Sequence, residues 1–378
     1  MRTRGAVLMA APEPGRESKL EIVDLELDGP RENELLVKMV ASGLCHSDDH
    51  IVKGDLPSLK YPMCLGHEGG GVIQEVGPHT PGWQVGDHVV FSFLPACGRC
   101  RWCATGRQAL CDRGRDTMRG ARLDDQSSFR MSLVDGGATV GQMAGISTFA
   151  EYTTVSVASA VKVPADLPLD RLCLLGCGVG TGWGSAVYSA DVRPGDVVIV
   201  MGIGGIGINA VQGAAHAGAL RVIAVDPVAF KRESALRLGA TDVCADIAEA
   251  DELAKSLTNG QGADSAIVTV GVIRSEHVGQ AFAAIRKGGT VVVTAVGSSE
   301  VGIPIPLAEL TLWQKRLQGA LFGSSNPTFD IPRQAEMYQA GQLKLDELVT
   351  RTYTLEQVNQ GYQDMHAGLN IRGVIVYD

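Results

Sequence analysis

Residues 197–207 read VVIVMGIGGIG. A run of β-formers stops at Gly202, and Gly204 and Gly207 complete a G-x-G-x-x-G pattern that also takes in Gly205 and Ile206. The small-residue stretch that follows, GINAVQGAAHAGA (207–219), has helical texture. Strand, glycine turn and helix in that order make a dinucleotide cradle. The glycines permit a tight turn and close approach of backbone to pyrophosphate, and the helix N-terminus offers N–H donors and partial positive charge. Asp226 closes the next strand, RVIAVD, at about the 20-residue distance where a carboxylate accepts hydrogen bonds from the adenosine ribose. Its charge repels a 2′-phosphate, so NAD is expected over NADP.

Reading outward, AFKRESALRLG (229–239) is a helix, DSAIVTVG (264–271) a strand, EHVGQAFAAIRKGG (276–289) a helix and TVVVTAVG (290–297) a strand. Such alternation implies a Rossmann-type doubly wound parallel sheet, an α/β fold. The first 150 residues differ. ELLVKMVASGLC (34–45), GGGVIQEVG (69–77) and GDHVVFSF (86–93) are short Val-rich runs cut by glycine, the texture of a β-rich domain. At the other end, IPRQAEMYQAGQLKLDELV (331–349) reads as a helix and IRGVIVYD (371–378) as a closing strand that returns to the N-terminal part. The expected division is a catalytic domain at 1–180 and 325–378, with a lobe at 95–113, and a nucleotide domain at 181–324. No internal repeat or low-complexity linker interrupts it.

Composition bounds the function. The 378 residues exceed one ordinary domain, and 45% hydrophobic with 20% charged residues and 47 glycines suits an α/β enzyme rich in tight turns. A net charge of −9 argues against a nucleic-acid partner. The basic cluster Arg99, Arg101, Arg107, Arg113 and Arg115 reads as a solvated lobe. No apolar run approaches the roughly 20 residues of a membrane span. The N-terminal MRTRGAVLMAAPEPG stops its short apolar run at Pro12 and Pro14, which fits a first strand better than a signal peptide. The expected location is therefore cytoplasmic, where thiols stay reduced and nine cysteines point to metal or catalysis before disulfides.

Four of those cysteines stand in CGRCRWCATGRQALC (97–111). Cys97, Cys100, Cys103 and Cys111 supply four thiolates, which fill a tetrahedral zinc shell and leave no position for substrate. An iron–sulfur cluster takes the same donors. A reactive zinc needs mixed ligands and an open position. Candidates are Cys45 in SGLCHSDDH, His67 in LGHEGGG and Cys177 in LLGCGVGTGWG. Spacing alone does not assemble residues from such distant segments, and each taken singly reads as an ordinary buried residue.

GLCHSDDH, GHEGGGVIQEVG, the four-cysteine segment, LLGCGVGTGWGSA, GIGGIG with Asp226, and NIRGVIVYD follow one another as in the zinc-dependent medium-chain alcohol dehydrogenases, which the chain resembles along nearly its whole length. PACGRCRWC, GCGVGTGWGSAV, GIGGIGINAVQGAA, AVDPVAFKRE and LFGSSNP are similar to the nicotinoprotein branch, the N,N-dimethyl-4-nitrosoaniline-dependent enzymes. The resemblance implies a GroES-like catalytic domain beside the nucleotide domain and two zinc ions per chain. One is structural, at Cys97, Cys100, Cys103 and Cys111; the other is catalytic, at Cys45, His67 and Cys177. It implies oxidation of an alcohol to an aldehyde or ketone by hydride transfer to NAD that stays bound and is recycled by an external electron acceptor. The alternatives are an NAD-exchanging alcohol dehydrogenase and a thiol-dependent formaldehyde dehydrogenase. A zinc-free reductase or a non-enzymatic binding protein of the same fold usually lacks both cysteine sets.

Residue roles follow from the same resemblance. Ser47 takes the alcohol's proton and His50 passes it outward through the cofactor ribose. Asp48 and Glu68 orient the ligands, and Glu68 also approaches the metal transiently. His46 stands where many relatives carry Arg against the pyrophosphate, Arg372 is a second pyrophosphate contact, Lys231 a ribose contact, Thr181 a residue behind the nicotinamide, and Phe93 a wall of the substrate pocket. Cys64, Cys173 and Cys244 are left without an assigned role and read as core or surface fillers. Residues 112–147 follow no strand–helix rhythm, and in relatives this region lines the substrate entrance. Relatives also imply a homo-oligomer, through an edge strand at KRLQGALFG (315–323).

Overall fold

Every side chain of the strand Val197–Met201 is buried, because the strand lies inside a parallel sheet of six. The computed structural model describes residues 1–13, 18–56, 58, 60–295, 297 and 302–378. Within it the chain divides into two units, one of residues 1–177 and 326–378, the other of residues 178–325. The first crossing falls after Cys177, where the sequence reading places the domain boundary at 180. Among the described residues no helix is long and apolar enough to cross a membrane.

In the second unit the strand order is Asp242–Cys244, Arg221–Val225, Val197–Met201, Ala263–Val268, Ile285–Val293, Arg316–Gly319, all parallel. The order reverses beside Val197–Met201, so the glycine turn after this strand lies at the topological switch point, where such sheets bind ligands. Three details depart from the sequence reading. The helix expected to run through Gly289 ends at Ala284, and Ile285–Val293 is strand. Ile285 is buried and pairs with Ala263, so sheet burial overrides the helical pattern. The expected strand 290–297 accordingly begins earlier and ends at Val293; its Val296 lies outside the described residues. The strand Asp242–Cys244 and the helix Ile247–Leu257 were not foreseen. Asp246 caps that helix by accepting from the N–H groups of Ala248 (2.9 Å) and Glu249 (3.0 Å), a signal the sequence does carry.

The first unit is a β structure in two parts. Arg2–Leu8, Glu21–Leu27, Met131–Leu133, Thr139–Gln142 and Met63–Cys64 close a small barrel. The N-terminal run is thus a strand as expected, with Pro14 outside the described residues. The second sheet is built on the ten-residue strand Glu34–Gly43. One edge pairs with Gly69–Val76, and the other is shared by Tyr152–Ser156 and Arg372–Val376. The C-terminal strand therefore returns to the N-terminal part, as its sequence suggested. The helix before it is shorter than expected: Pro327–Gln339, followed by the strand Val349–Tyr353 and the helix Val358–His366.

Residues 112–147 supply two barrel strands, and long-range charge explains their missing rhythm. The buried Glu34 carboxylate receives both Arg122 and Arg130, and Arg130 also donates to Gln142 (3.0 Å). Gln142 in turn donates to Thr153 Oγ1 (2.9 Å). No local periodicity encodes such a network.

Candidate active site

The strand Glu34–Gly43 ends one residue before Leu44 and Cys45, and the helix His46–Lys53 starts immediately after. Cys45 is its N-cap residue in an extended conformation, and its thiol makes no capping hydrogen bond. His67 and Glu68 come from the connection before the paired strand Gly69–Val76, and Cys177 from the end of the short helical turn Cys173–Gly176. These segments converge: one donor atom each from Cys45, His67, Glu68 and Cys177 lies within 4.8 Å of the others, and all four residues are buried.

A metal ion fits this set. Both His67 nitrogens are buried without a hydrogen-bond partner, on a residue only 1% exposed. Nδ1 lies 3.0 Å from Asp48 Oδ2, an ion-pair distance without hydrogen-bond alignment, which leaves Nε2 for another ligand. Burial pushes the His67 imidazole down, but the Asp48 carboxylate and Cys45 sulfur outweigh it and hold the ring well above the ordinary range. A hydrogen bond from Cys177 holds the Cys45 thiol well below its usual range against burial, while Cys177 is pushed well above. Two buried sulfurs next to an imidazole without a hydrogen-bond partner suit a cation among them.

Glu68 is already engaged. Its carboxylate pairs with Arg372, and burial still pushes it up to about 7 with Arg372 pulling the other way. Arg372 is buried and also donates to the Leu44 carbonyl (3.2 Å). Arg372, expected against the pyrophosphate, is thus also the partner of Glu68. Gly43 makes room for the pair: a Cβ there meets Glu68 Oε2 at 2.3 Å and Arg372 Nη2 at 3.0 Å. With Glu68 held by Arg372, two cysteines and one histidine remain, a zinc set with an open position.

Around this cluster, Ser47 Oγ lies 3.8 Å from Cys45 Sγ, and the Phe93 ring meets the His67 ring edge-on at 5.8 Å. His46 and His50 have ring centroids 6.4 Å apart, and burial pushes the His46 imidazole down. His50 Nδ1 lies 3.0 Å from Asp55 Oδ2, a partner the sequence reading missed. Its only sequence signal is a carboxylate just past a glycine that ends the helix.

The second cysteine set is local. Cys97, Cys100, Cys103 and Cys111 also place their sulfurs within 4.8 Å of one another, Cys97 and Cys103 at 4.0 Å and Cys100 and Cys111 at 3.9 Å. These separations approach the tetrahedral edge of roughly 3.8 Å expected for Zn–S bonds near 2.3 Å. Backbone N–H groups of Cys100 and Cys103 point at the sulfurs of Cys97 (3.3 Å) and Cys100 (3.5 Å). The N–H groups of Cys103 and Asp112 hold Cys100 down at about 6, so a thiolate there is accessible at neutral pH. Cys64, Cys173 and Cys244 are buried outside both sets.

The glycine turn of the second unit fits a dinucleotide. Gly202 has φ 95°, and a Cβ on Gly207 meets the Gly202 carbonyl oxygen at 1.8 Å, so both positions exclude a side chain. A Cβ on Gly204 meets nothing within 4 Å, open space where backbone can approach phosphate. Gly205 and Ile206 complete the turn, and Ile206 is the N-cap of the helix Gly207–His216. Asp226 accepts from the N–H groups of Ile203 (2.8 Å) and Val228 (2.9 Å), which fixes its carboxylate beside the turn. Lys231 lies in the next helix, Ala229–Arg237, half-buried. Thr181 Oγ1, on a residue 5% exposed, has no hydrogen-bond partner.

Residues 31–165 match the alcohol dehydrogenase GroES-like domain, and residues 205–339 match the zinc-binding dehydrogenase domain. The chain belongs to the zinc-type medium-chain alcohol dehydrogenases. This dehydrogenase is 53% identical to the NDMA-dependent alcohol dehydrogenase of Amycolatopsis methanolica, across 100% of its own length and 99% of that protein. It is 45% identical to alcohol dehydrogenase B of Mycobacterium tuberculosis, over 100% and 99% of the two chains. Benzyl alcohol dehydrogenase from Acinetobacter calcoaceticus has the same fold, with a TM-score of 0.89, 30% identity and full coverage of both chains. The GroES-like and Rossmann-type architecture expected from the sequence is that of the family, and the protein is a zinc-dependent enzyme acting on alcohols.

Proposed function

We propose that this dehydrogenase oxidises an alcohol to an aldehyde or ketone at a zinc held by Cys45, His67 and Cys177, with NAD that stays bound and is reoxidised in place by an external acceptor. The observation that carries the metal assignment is the buried convergence of two sulfurs on an imidazole whose Nε2 has no protein partner. Zinc there supplies Lewis acidity, which brings ionisation of a hydroxyl toward neutral pH, and NAD supplies the hydride acceptor. Asp48 holds the His67 ring through Nδ1, which directs Nε2 at the metal. Glu68, held by Arg372, orients the sulfur ligands. Ser47 Oγ accepts the proton of the alcohol and His50 carries it outward.

In the second unit the Gly202–Gly207 turn takes the pyrophosphate, and Asp226 with Lys231 takes the adenosine ribose. Asp226 favours NAD over NADP by its charge. Thr181 Oγ1 offers a hydrogen bond to the nicotinamide side. A second zinc in Cys97, Cys100, Cys103 and Cys111 has no open position and serves the fold. The enzyme works in the cytoplasm as a homo-oligomer joined along the exposed edge strand Arg316–Gly319.

Retention of NAD rests on the full-length similarity to the NDMA-dependent enzyme. Its test is cofactor content: purification without added nucleotide, dialysis, denaturation, and quantification of released NAD(H) and zinc per chain. About one nucleotide and two zinc ions per chain are expected. An enzyme stripped of nucleotide and active only with added NAD overturns retention. The chain is also 34% identical, over its full length, to S-(hydroxymethyl)glutathione dehydrogenase of Paracoccus denitrificans. Turnover of formaldehyde that requires a low-molecular-weight thiol therefore decides for the thiol-adduct reading.

A further inference from the structure

The helix His46–Lys53 ends at Gly54, whose left-handed conformation (φ 82°) turns the chain back on itself. The Leu56 N–H then reaches the His50 carbonyl at 3.1 Å, and the residue between, Asp55, is carried over the His50 side chain. Its Oδ2 lies 3.0 Å from His50 Nδ1. The two side chains differ sharply in exposure, 11% for His50 and 60% for Asp55. A buried imidazole thus ends in a carboxylate that stands in water.

We propose that Asp55 is a positioning residue for proton release, acting through His50. The inference rests on the reading of His50 as the relay base. By accepting the Nδ1–H, Asp55 fixes the tautomer whose Nε2 lone pair faces inward, and its charge stabilises the imidazolium formed when Nε2 takes a proton. The proton then leaves to solvent, and no electrons move in this step. An exposed carboxylate in this place adds little to folding stability, so its worth lies in the imidazole it holds.

The other charged or titratable groups around His50 are accounted for. His46 presents its ring at 6.4 Å. Asp49, on the same helix, is taken up by Lys53 Nζ (2.8 Å) and by His366 Nε2 (2.8 Å) from the helix Val358–His366. That leaves Asp55 as the carboxylate in contact with His50 among the described residues.

The experiment compares Asp55→Asn, Asp55→Ala and His50→Gln in the intact enzyme. One readout is the acid limb of the pH–rate profile for alcohol oxidation. The other is the midpoint of hydrogen exchange at the His50 ring carbon, followed by mass spectrometry and independent of activity. Both Asp55 variants are expected to move the limb and the exchange midpoint together to lower pH, since removal of a neighbouring negative charge disfavours the protonated ring. Thermal stability should not change. Unmoved limb and midpoint in both Asp55 variants overturn the proposal while a His50→Gln enzyme lacking the limb preserves the relay reading. A His50→Gln enzyme with the wild-type limb overturns that reading, and the proposal with it.

Discussion

The two cysteine sets have similar donor spacing but opposite construction. One occupies residues 97–111, is partly exposed, and is closed by backbone N–H groups of its own loop. The other takes Cys45, His67 and Cys177 from three distant segments, is wholly buried, and is braced by Asp48 and the Glu68–Arg372 pair. A loop that brings four thiolates together needs only its own short chain, which suits a site that would serve stability. A set of mixed donors with room for a reactant must be gathered by packed strands, because only a rigid surround holds an open position open.

Three substitutions test this contrast. Cys45→Ala should lower kcat/KM by more than about 100-fold, beyond the 10–100-fold typical when an outer partner of a metal ligand is lost. Its melting temperature should stay near that of the parent. A Cys45→Ala protein with substantial turnover would break the assignment of the buried set. Arg372→Met should destabilise by about 3–5 kcal/mol, because Glu68 is left as an unpaired buried carboxylate. Denaturant titration measures this, and the double variant with Glu68→Gln should recover much of it; equal loss in single and double variants would show that the pair does not brace the site. Cys103→Ser should have the mildest effect, a drop of about 5 °C in melting temperature with loss of one zinc per chain, since a structural metal contributes folding free energy. Lost zinc with unchanged melting would contradict a stabilising role for the lobe.

Legibility in the sequence follows the same division. The glycine turn and Asp226 were readable because each obeys a local rule, a positive φ or a close approach at fixed spacing. So was the 97–111 cluster, whose donors are neighbours in the chain, although its residues alone left zinc and iron–sulfur open. Cys45, His67 and Cys177 gained meaning only through resemblance to a family, since nothing in their spacing says that they meet. The Glu34–Arg122–Arg130 network and the seat of Arg372 on Glu68 were not visible at all. Local pattern failed where burial competed with it. Ile285 left the expected helix for the sheet, and the helix expected through Val349 stopped at Gln339 before the strand Val349–Tyr353.

The sequence by itself determined the nucleotide cradle, the alternation that builds a parallel sheet, and the four-thiolate lobe, because each is encoded within a few turns of chain. Tertiary structure alone decided which cysteines flank His67, which cation faces Glu68 and which carboxylate meets His50. Charge and donor pairs of that kind depend on distance in space, and the chain fixes that distance only after its strands have paired.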